Sequence, residues 1–248
     1  MERPTAAAFP LTRWSVVVQA RQEASPENSR AALEELCRQY WFPLYAFARR
    51  RGHSPPDAED LTQSFFAELL TTRLFDVADP AQGRLRTFLL TAFQRSLTDQ
   101  HRREHAQKRG GGQQIVSIDT DAAEERLRIE LAHDETPESA FEVRWAVALL
   151  DSAMALLEQE YVAAEKPAHF EALRPFLTAA QTHAEGYEEL AAKLNVTKIA
   201  ARQAVHRMRE RFRQILRRCV TDTLHEPTPA AVDEELTSLK LALARSGI

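Results

Sequence analysis

Lys198, Arg202, Gln203, His206, Arg207 and Arg209 crowd the start of a strongly basic helical stretch, behind Thr197. None of them forms a nucleophile–base pair. Their shared chemistry is hydrogen bonding to nucleic acid: an arginine fork fits guanine O6 and N7, and a glutamine amide fits adenine N6 and N7. Arg211, Arg217 and Arg218, further along, suit phosphates, which hold a duplex without reading it. A solvated basic helix face and an ordinary helical hairpin are the plainer readings of the same pattern.

The elements that must carry these side chains are written in the spacing. Tyr187, Leu190, Ala191 and Leu194 fall at i, i+3, i+4 and i+7, the stripe of a short amphipathic helix. Asn195 tolerates the left-handed backbone that turns a chain after a helix, Val196 is expected to pack beneath the turn, and Thr197 is a good N-cap. Ala201, Val205, Met208, Phe212 and Ile215 then step by four, three, four and three along one face of a second helix. Lys198, Arg202, Gln203, His206, Arg209 and Arg213 fall mostly on the other. Helix, tight turn and basic helix make a helix-turn-helix.

The chain of 248 residues is long enough for one large domain or two small ones, and its 44% hydrophobic and 27% charged content is ordinary for a globular protein. The net charge of −4 conceals an uneven distribution. Residues 84–109 and 193–218 are basic, whereas 119–165 and 222–235 are acidic. Two cysteines, Cys37 and Cys219, argue against a disulfide framework and for a reducing compartment. The opening residues lack the apolar core of a signal peptide, and no run approaches the ~20 apolar residues of a membrane span. A cytoplasmic protein without membrane insertion is expected.

Catalysis finds little support. His101 and His105 have the i, i+4 spacing of a metal pair, but the flanking sequence is not HExxH and no third ligand is evident. Gly110 to Gly112 are not followed by Lys-Ser/Thr, so they make a poor phosphate loop. Neither an enzyme nor a cofactor is expected.

Along the chain, Leu11 to Ala20 has the pattern of a short helix. Residues 29–51 read as a helix through Leu33, Leu36, Cys37, Tyr40, Leu44 and Phe47, kinked or broken at Pro43. Ser54 caps the next helix, with Pro55 at its first position and Asp57 in its first turn; Ala58, Leu61, Phe65 and Leu69 form its core stripe to about Thr72. A loop over 76–83 leads to a third helix from Leu85 to about His105. The glycine run after Arg109 is the clearest linker, and Gln114 to Ile118 the best candidate for a strand. Pro137 opens a long helix to about Ala164, using Phe141, Trp145, Leu149, Leu156 and Leu157. Pro167 to Thr178 forms a shorter one. A last helix, from about Ala230 to Ala244 with Leu236, Leu239 and Leu241, is expected to pack on the second domain, with a regulatory role as the alternative.

Three of these segments, in this order, resemble the sigma-70 superfamily, specifically its two-domain extracytoplasmic-function (ECF) group. Asp57-Ala58-Glu59-Asp60-Leu61-Thr62-Gln63 with Phe65 and Phe66 resembles the family's DAEDLxQExF helix. Arg84-Leu85-Arg86-Thr87-Phe88-Leu89 with Asp99, Arg102 and Arg103 resembles FRxWLxxIARNxxxDxxRR. The segment from Tyr187 to Arg218 resembles SYxEIAxxLGxSxGTVxSRxxRARxxLR. The sequence departs from these patterns at Ser64 (for Glu), Arg95 (for Asn), Asn195 (for Gly) and Lys198-Ile199-Ala200 (for xGT).

The resemblance implies an all-α fold of two helical domains joined by a flexible linker, the second holding the helix-turn-helix. Residues 1–28 would be an N-terminal extension, 29–109 the domain for the polymerase clamp and −10 element, 110–136 the linker, 137–221 the −35 domain and 222–248 a C-terminal helical extension. It implies binding to core RNA polymerase, at the β′ clamp helices and β flap, and to promoter DNA. Asp57, Asp60, Gln63 and Ser64 would meet polymerase. Arg84, Arg86, Arg95, Asp99, Arg102 and Arg103 would serve the −10 element. Thr197, Lys198, Arg202, Gln203, His206, Arg207 and Arg209 would serve the −35 element. An anti-sigma factor or a regulatory kinase would fit as a further partner. A helix-turn-helix regulator acting without polymerase is the alternative.

Overall fold

The computed structural model describes residues 26–71, 84–104, 123–124, 127, 136–177, 184–224 and 227–246. Their regular structure is helical: α1 (Pro26–Arg50), α2 (Pro55–Thr71), α3 (Leu85–Glu104), α4 (Pro137–Ala163), α5 (Pro167–Leu173) with a 3₁₀ turn over Arg174–Phe176, α6 (Ala184–Leu194), α7 (Lys198–Asp222) and α8 (Pro229–Ser246). The expected N-terminal helix, the loop over 76–83, the glycine linker and the strand at Gln114 to Ile118 lie outside the described residues. No described helix is long and apolar enough to cross a membrane.

The chain divides into two compact units, one holding Leu150–Cys219 and the other Pro10–Leu149 with Val220–Ile248. The divisions therefore fall inside α4 and α7.

In the second of these units α1 packs on α2, and α2 on α3. Tyr40, Leu44 and Phe47 of α1, Ala58, Leu61 and Phe65 of α2, and Leu85, Leu89 and Phe93 of α3 are buried. Phe93 meets Phe65 and Phe47 edge-on, with ring centroids 5.1 and 6.1 Å away, a geometry that suits the ring quadrupoles. Of the kink and the break expected at Pro43, the break does not occur: one helix continues through it. Proline cannot donate to the carbonyl four residues back. Trp41, Leu44, Tyr45 and Phe47 are all buried around it, and that packing outweighs one missing hydrogen bond. At the start of α2 the Asp57 amide donates to Ser54 Oγ (3.3 Å), and Ser54 Oγ donates to Asp57 Oδ2 (2.5 Å).

Part of the expected linker joins this unit. Ala123, Glu124 and Leu127 are helical, and Ala123 and Leu127 are buried. Glu124 Oε1 accepts from Tyr45 Oη (2.5 Å) and Arg49 Nε (2.7 Å), and Glu124 Oε2 from Arg49 Nη2 (3.1 Å). The Arg49 hydrogen bond holds the Glu124 carboxyl below its usual range. Burial, and then the Glu124 carboxylate, push the Tyr45 phenol well above its own.

The last helix also belongs here. Val232, Glu235, Leu239 and Ala242 make the buried stripe of α8. The sequence expectation placed this helix on the second domain; its polar anchor instead reaches α3, as described below.

In the unit of Leu150–Cys219, buried Leu157, Phe170, Leu173, Phe176, Leu190, Val205, Met208 and Ile215 form the core. Tyr161 tilts against Phe170 at 5.8 Å, and Phe176 against Tyr187 at 5.4 Å. Phe212, expected in the buried stripe of α7, is only half-buried.

Candidate nucleic-acid interface

The turn between α6 and α7 is fixed by backbone bonds. Asn195 has φ of 51°, left-handed as its residue type allows. The Asn195 amide donates to the Ala192 carbonyl (3.2 Å) and the Val196 amide to that of Ala191 (2.9 Å), which closes α6. The Val196 side chain, expected beneath the turn, is 42% exposed. The two backbone bonds already close the turn, so its side chain need not fill it. Thr197 Oγ1 accepts from the Ala200 amide (3.2 Å), capping α7.

The face of α7 opposite its buried stripe carries Ile199, Arg202, Gln203, His206 and Arg207, all exposed. Arg202 lies with its guanidinium carbon 5.4 Å from the centroid of the Tyr187 ring. Lys198 Nζ donates to Glu188 Oε1 at 2.5 Å and holds that carboxyl below its usual range. Arg209 is half-buried, its Nε donating to the Phe176 carbonyl at 2.8 Å. Arg211 forks onto Glu160, with Nε to Oε2 at 2.7 Å and Nη2 to Oε1 at 2.5 Å. Of the residues expected to meet DNA here, Arg202, Gln203, His206 and Arg207 share an exposed surface, Thr197 shapes the helix start, and Lys198 and Arg209 brace neighbouring elements.

The arginines of α3 divide sharply. Arg95 and Asp99 are exposed. Arg102 and Arg103 continue the same helix, and their side chains lie outside the described residues. Arg86, expected to track phosphates, is instead buried, at 4% exposed. Its Nε lies 2.8 Å from Glu235 Oε1, and its Nη2 donates to Glu235 Oε2 at 3.1 Å. Nη1 pairs with Glu142, and the guanidinium carbon sits 4.4 Å from the Trp145 ring centroid. Burial pulls the Arg86 guanidinium below its ordinary range, and the Glu235 carboxylate opposes that shift. Arg84 Nε also lies 2.8 Å from Glu235 Oε2, and the Arg84 backbone bridges to Leu224. The reason is α8, which delivers a carboxylate from a distant part of the chain to the start of α3. The stripe Val232, Glu235, Leu239, Ala242 is the sequence signal, since a carboxylate in an apolar stripe needs a buried cation.

On α2, Asp57, Asp60 and Ser64 are exposed on one face, and Gln63 is half-buried with its amide donating to Glu59 Oε1 at 3.0 Å. Thr62, fully buried between them in sequence, satisfies itself by donating to the Ala58 carbonyl at 2.7 Å.

Neither Ile199 nor Glu235 is among the residues expected to meet DNA or polymerase. A family model described as "ECF sigma factor" matches residues 27–218. No curated protein and no solved structure matches the chain.

Proposed function

Because the chain belongs to the ECF sigma factor family, whose members act in transcription initiation, we propose that it binds core RNA polymerase and directs it to promoters carrying its own −35 and −10 elements. The carrying observation is the exposed face of α7, with Arg202, Gln203, His206 and Arg207 set opposite a buried stripe behind the Thr197 cap. An arginine, a glutamine and a histidine within about one turn of helix are a base-reading set for the major groove.

The acidic face of α2, with Asp57, Asp60 and Ser64 exposed, is the proposed seat for the basic clamp helices of β′. The −10 contacts fall to Arg95 and Asp99 and to Arg102 and Arg103 beyond them. Arg84 and Arg86 serve the fold of their unit by anchoring α8. Two weak DNA contacts tethered by polymerase reinforce each other through effective concentration, so a chain of net charge −4 needs no high intrinsic affinity for DNA.

Run-off transcription with purified core polymerase on a genomic promoter library tests this. New initiation sites that depend on both core and this chain are expected. Absence of both core binding and new initiation sites would sink the proposal. Tight operator binding by the chain alone would favour a regulator that acts without polymerase.

A further inference from the structure

Ile199 is 70% exposed, more than Val162, Val196 or Leu241, the other exposed large apolar side chains among the described residues. A single exposed apolar side chain is ordinary. Its position is not. Ile199 is the second residue of α7. Arg202, Gln203 and His206 follow at i+3, i+4 and i+7, so all four share one face. That face points away from the buried stripe of Ala201, Val205 and Met208, so the exposure is not a failure to pack. An exposed β-branched residue adds nothing to helix propensity either.

On the reading that α7 enters the major groove, we infer that Ile199 is a specificity residue that recognises a thymine by its C5-methyl group. The thymine methyl is the apolar feature of base edges in that groove. Arg202 suits guanine and Gln203 suits adenine, and neither rewards thymine. An isoleucine beside them completes a mixed code. Its χ1 is already restricted in a helix, so docking costs little further side-chain entropy. The surrounding Arg202 and Arg207 supply the charge that brings duplex DNA to this face. The family-like pattern has glycine at the Ile199 position, so the contact is a property of this chain's own side chain.

The test uses the full chain with core polymerase and an upstream element selected from a randomised promoter library. Each thymine of that element is replaced in turn by deoxyuridine, which removes only the methyl group. At one position the wild-type complex loses about three- to five-fold in binding, the equivalent of one methyl left unburied. The I199A complex loses a similar factor on the unmodified element and is then indifferent to deoxyuridine there. Four outcomes overturn the inference: a selected element with no thymine, a wild-type complex insensitive to every deoxyuridine, an I199A complex as sensitive as wild type, or I199A weakening core binding rather than element choice. The last outcome reassigns Ile199 to a protein contact. All four leave the proposed sigma activity standing, whereas loss of promoter-specific initiation by the wild type overturns both.

Discussion

Glu235 and Arg86 form an ion pair that neither shows to solvent: their side chains are 1% and 4% exposed, and two of their N–O distances are 2.8 and 3.1 Å. A pair taken this far from water gains little net energy, because the desolvation of both ions offsets their attraction. Breaking it leaves one buried charge unmatched and typically costs about 3–5 kcal/mol. Glu235→Ala should therefore destabilise its unit by roughly that amount in urea unfolding, with Glu142 and the Trp145 ring left to shield Arg86 in part. The double variant Arg86→Met with Glu235→Leu should recover most of the loss, since apolar residues of similar volume replace such pairs at little cost. A double variant as unstable as Glu235→Ala would show that the pair itself, not charge balance, holds α8.

The Arg49–Glu124 contact gives stability a pH dependence. The Glu124 carboxyl lies below its ordinary value of 4.5, first because of the Arg49 hydrogen bond. A carboxyl with a depressed folded value contributes stability that is fully present above the unfolded value. That contribution fades as pH falls through the folded value. Glu124 and Arg49 are 31% and 24% exposed, so solvent screening keeps the effect small, under about 1 kcal/mol. Wild type should exceed Glu124→Gln in unfolding free energy at pH 7, and the gap should close progressively below about pH 4.5. A gap that is constant from pH 7 to pH 3 would assign the contact to packing alone.

The turn ahead of α7 was legible because its information is local. Asn195, Thr197 and the stripe Ala201, Val205, Met208 lie within a few residues of one another, and each acts on its own backbone. What was missed acts over distance. Glu235 finds Arg86 across 149 residues of sequence, and no local pattern on α3 shows that one of its arginines is a core residue. The break offered at Pro43 fails for the same reason, since local propensity allows it and tertiary packing carries the helix through. Val196 and Phe212 are less buried than expected, Val196 the more so, because a pattern gives a direction and not the depth of the neighbour it meets. The exposed face of α7 was legible in its polar members, while Ile199 passed as ordinary apolar filling.

Local coding makes the turn testable by itself. Asn195 sits at φ of 51°, where a side chain with a branched β-carbon is strained and glycine is not. Asn195→Gly should leave thermal stability within about 0.5 kcal/mol of wild type, and Asn195→Val should cost about 1–2 kcal/mol. Thr197→Ala removes the acceptor of the Ala200 amide and should cost about 1 kcal/mol. Faster amide exchange at the first turn of α7, with slower change elsewhere, is the expected signature. Equal tolerance of glycine and valine at 195 would mean the turn is rebuilt in the variants.

Arg207 and Arg209, two residues apart, should separate into different phenotypes. Arg207 is exposed on the outward face of α7, where it can meet a phosphate. Each phosphate contact releases counterions and steepens the fall of log K with log salt by about 0.9. Arg207→Ala in the polymerase complex should flatten that slope by about one and weaken all upstream elements alike. Arg209 instead donates its Nε to the Phe176 carbonyl at 2.8 Å, tying α7 to the 3₁₀ turn. Arg209→Ala should lower the stability of its unit by about 1 kcal/mol, the net value of one such hydrogen bond, and should change the salt slope less than Arg207→Ala. The reverse pattern, with the slope moved by Arg209 and stability by Arg207, would show that Arg209 leaves the Phe176 carbonyl when DNA arrives.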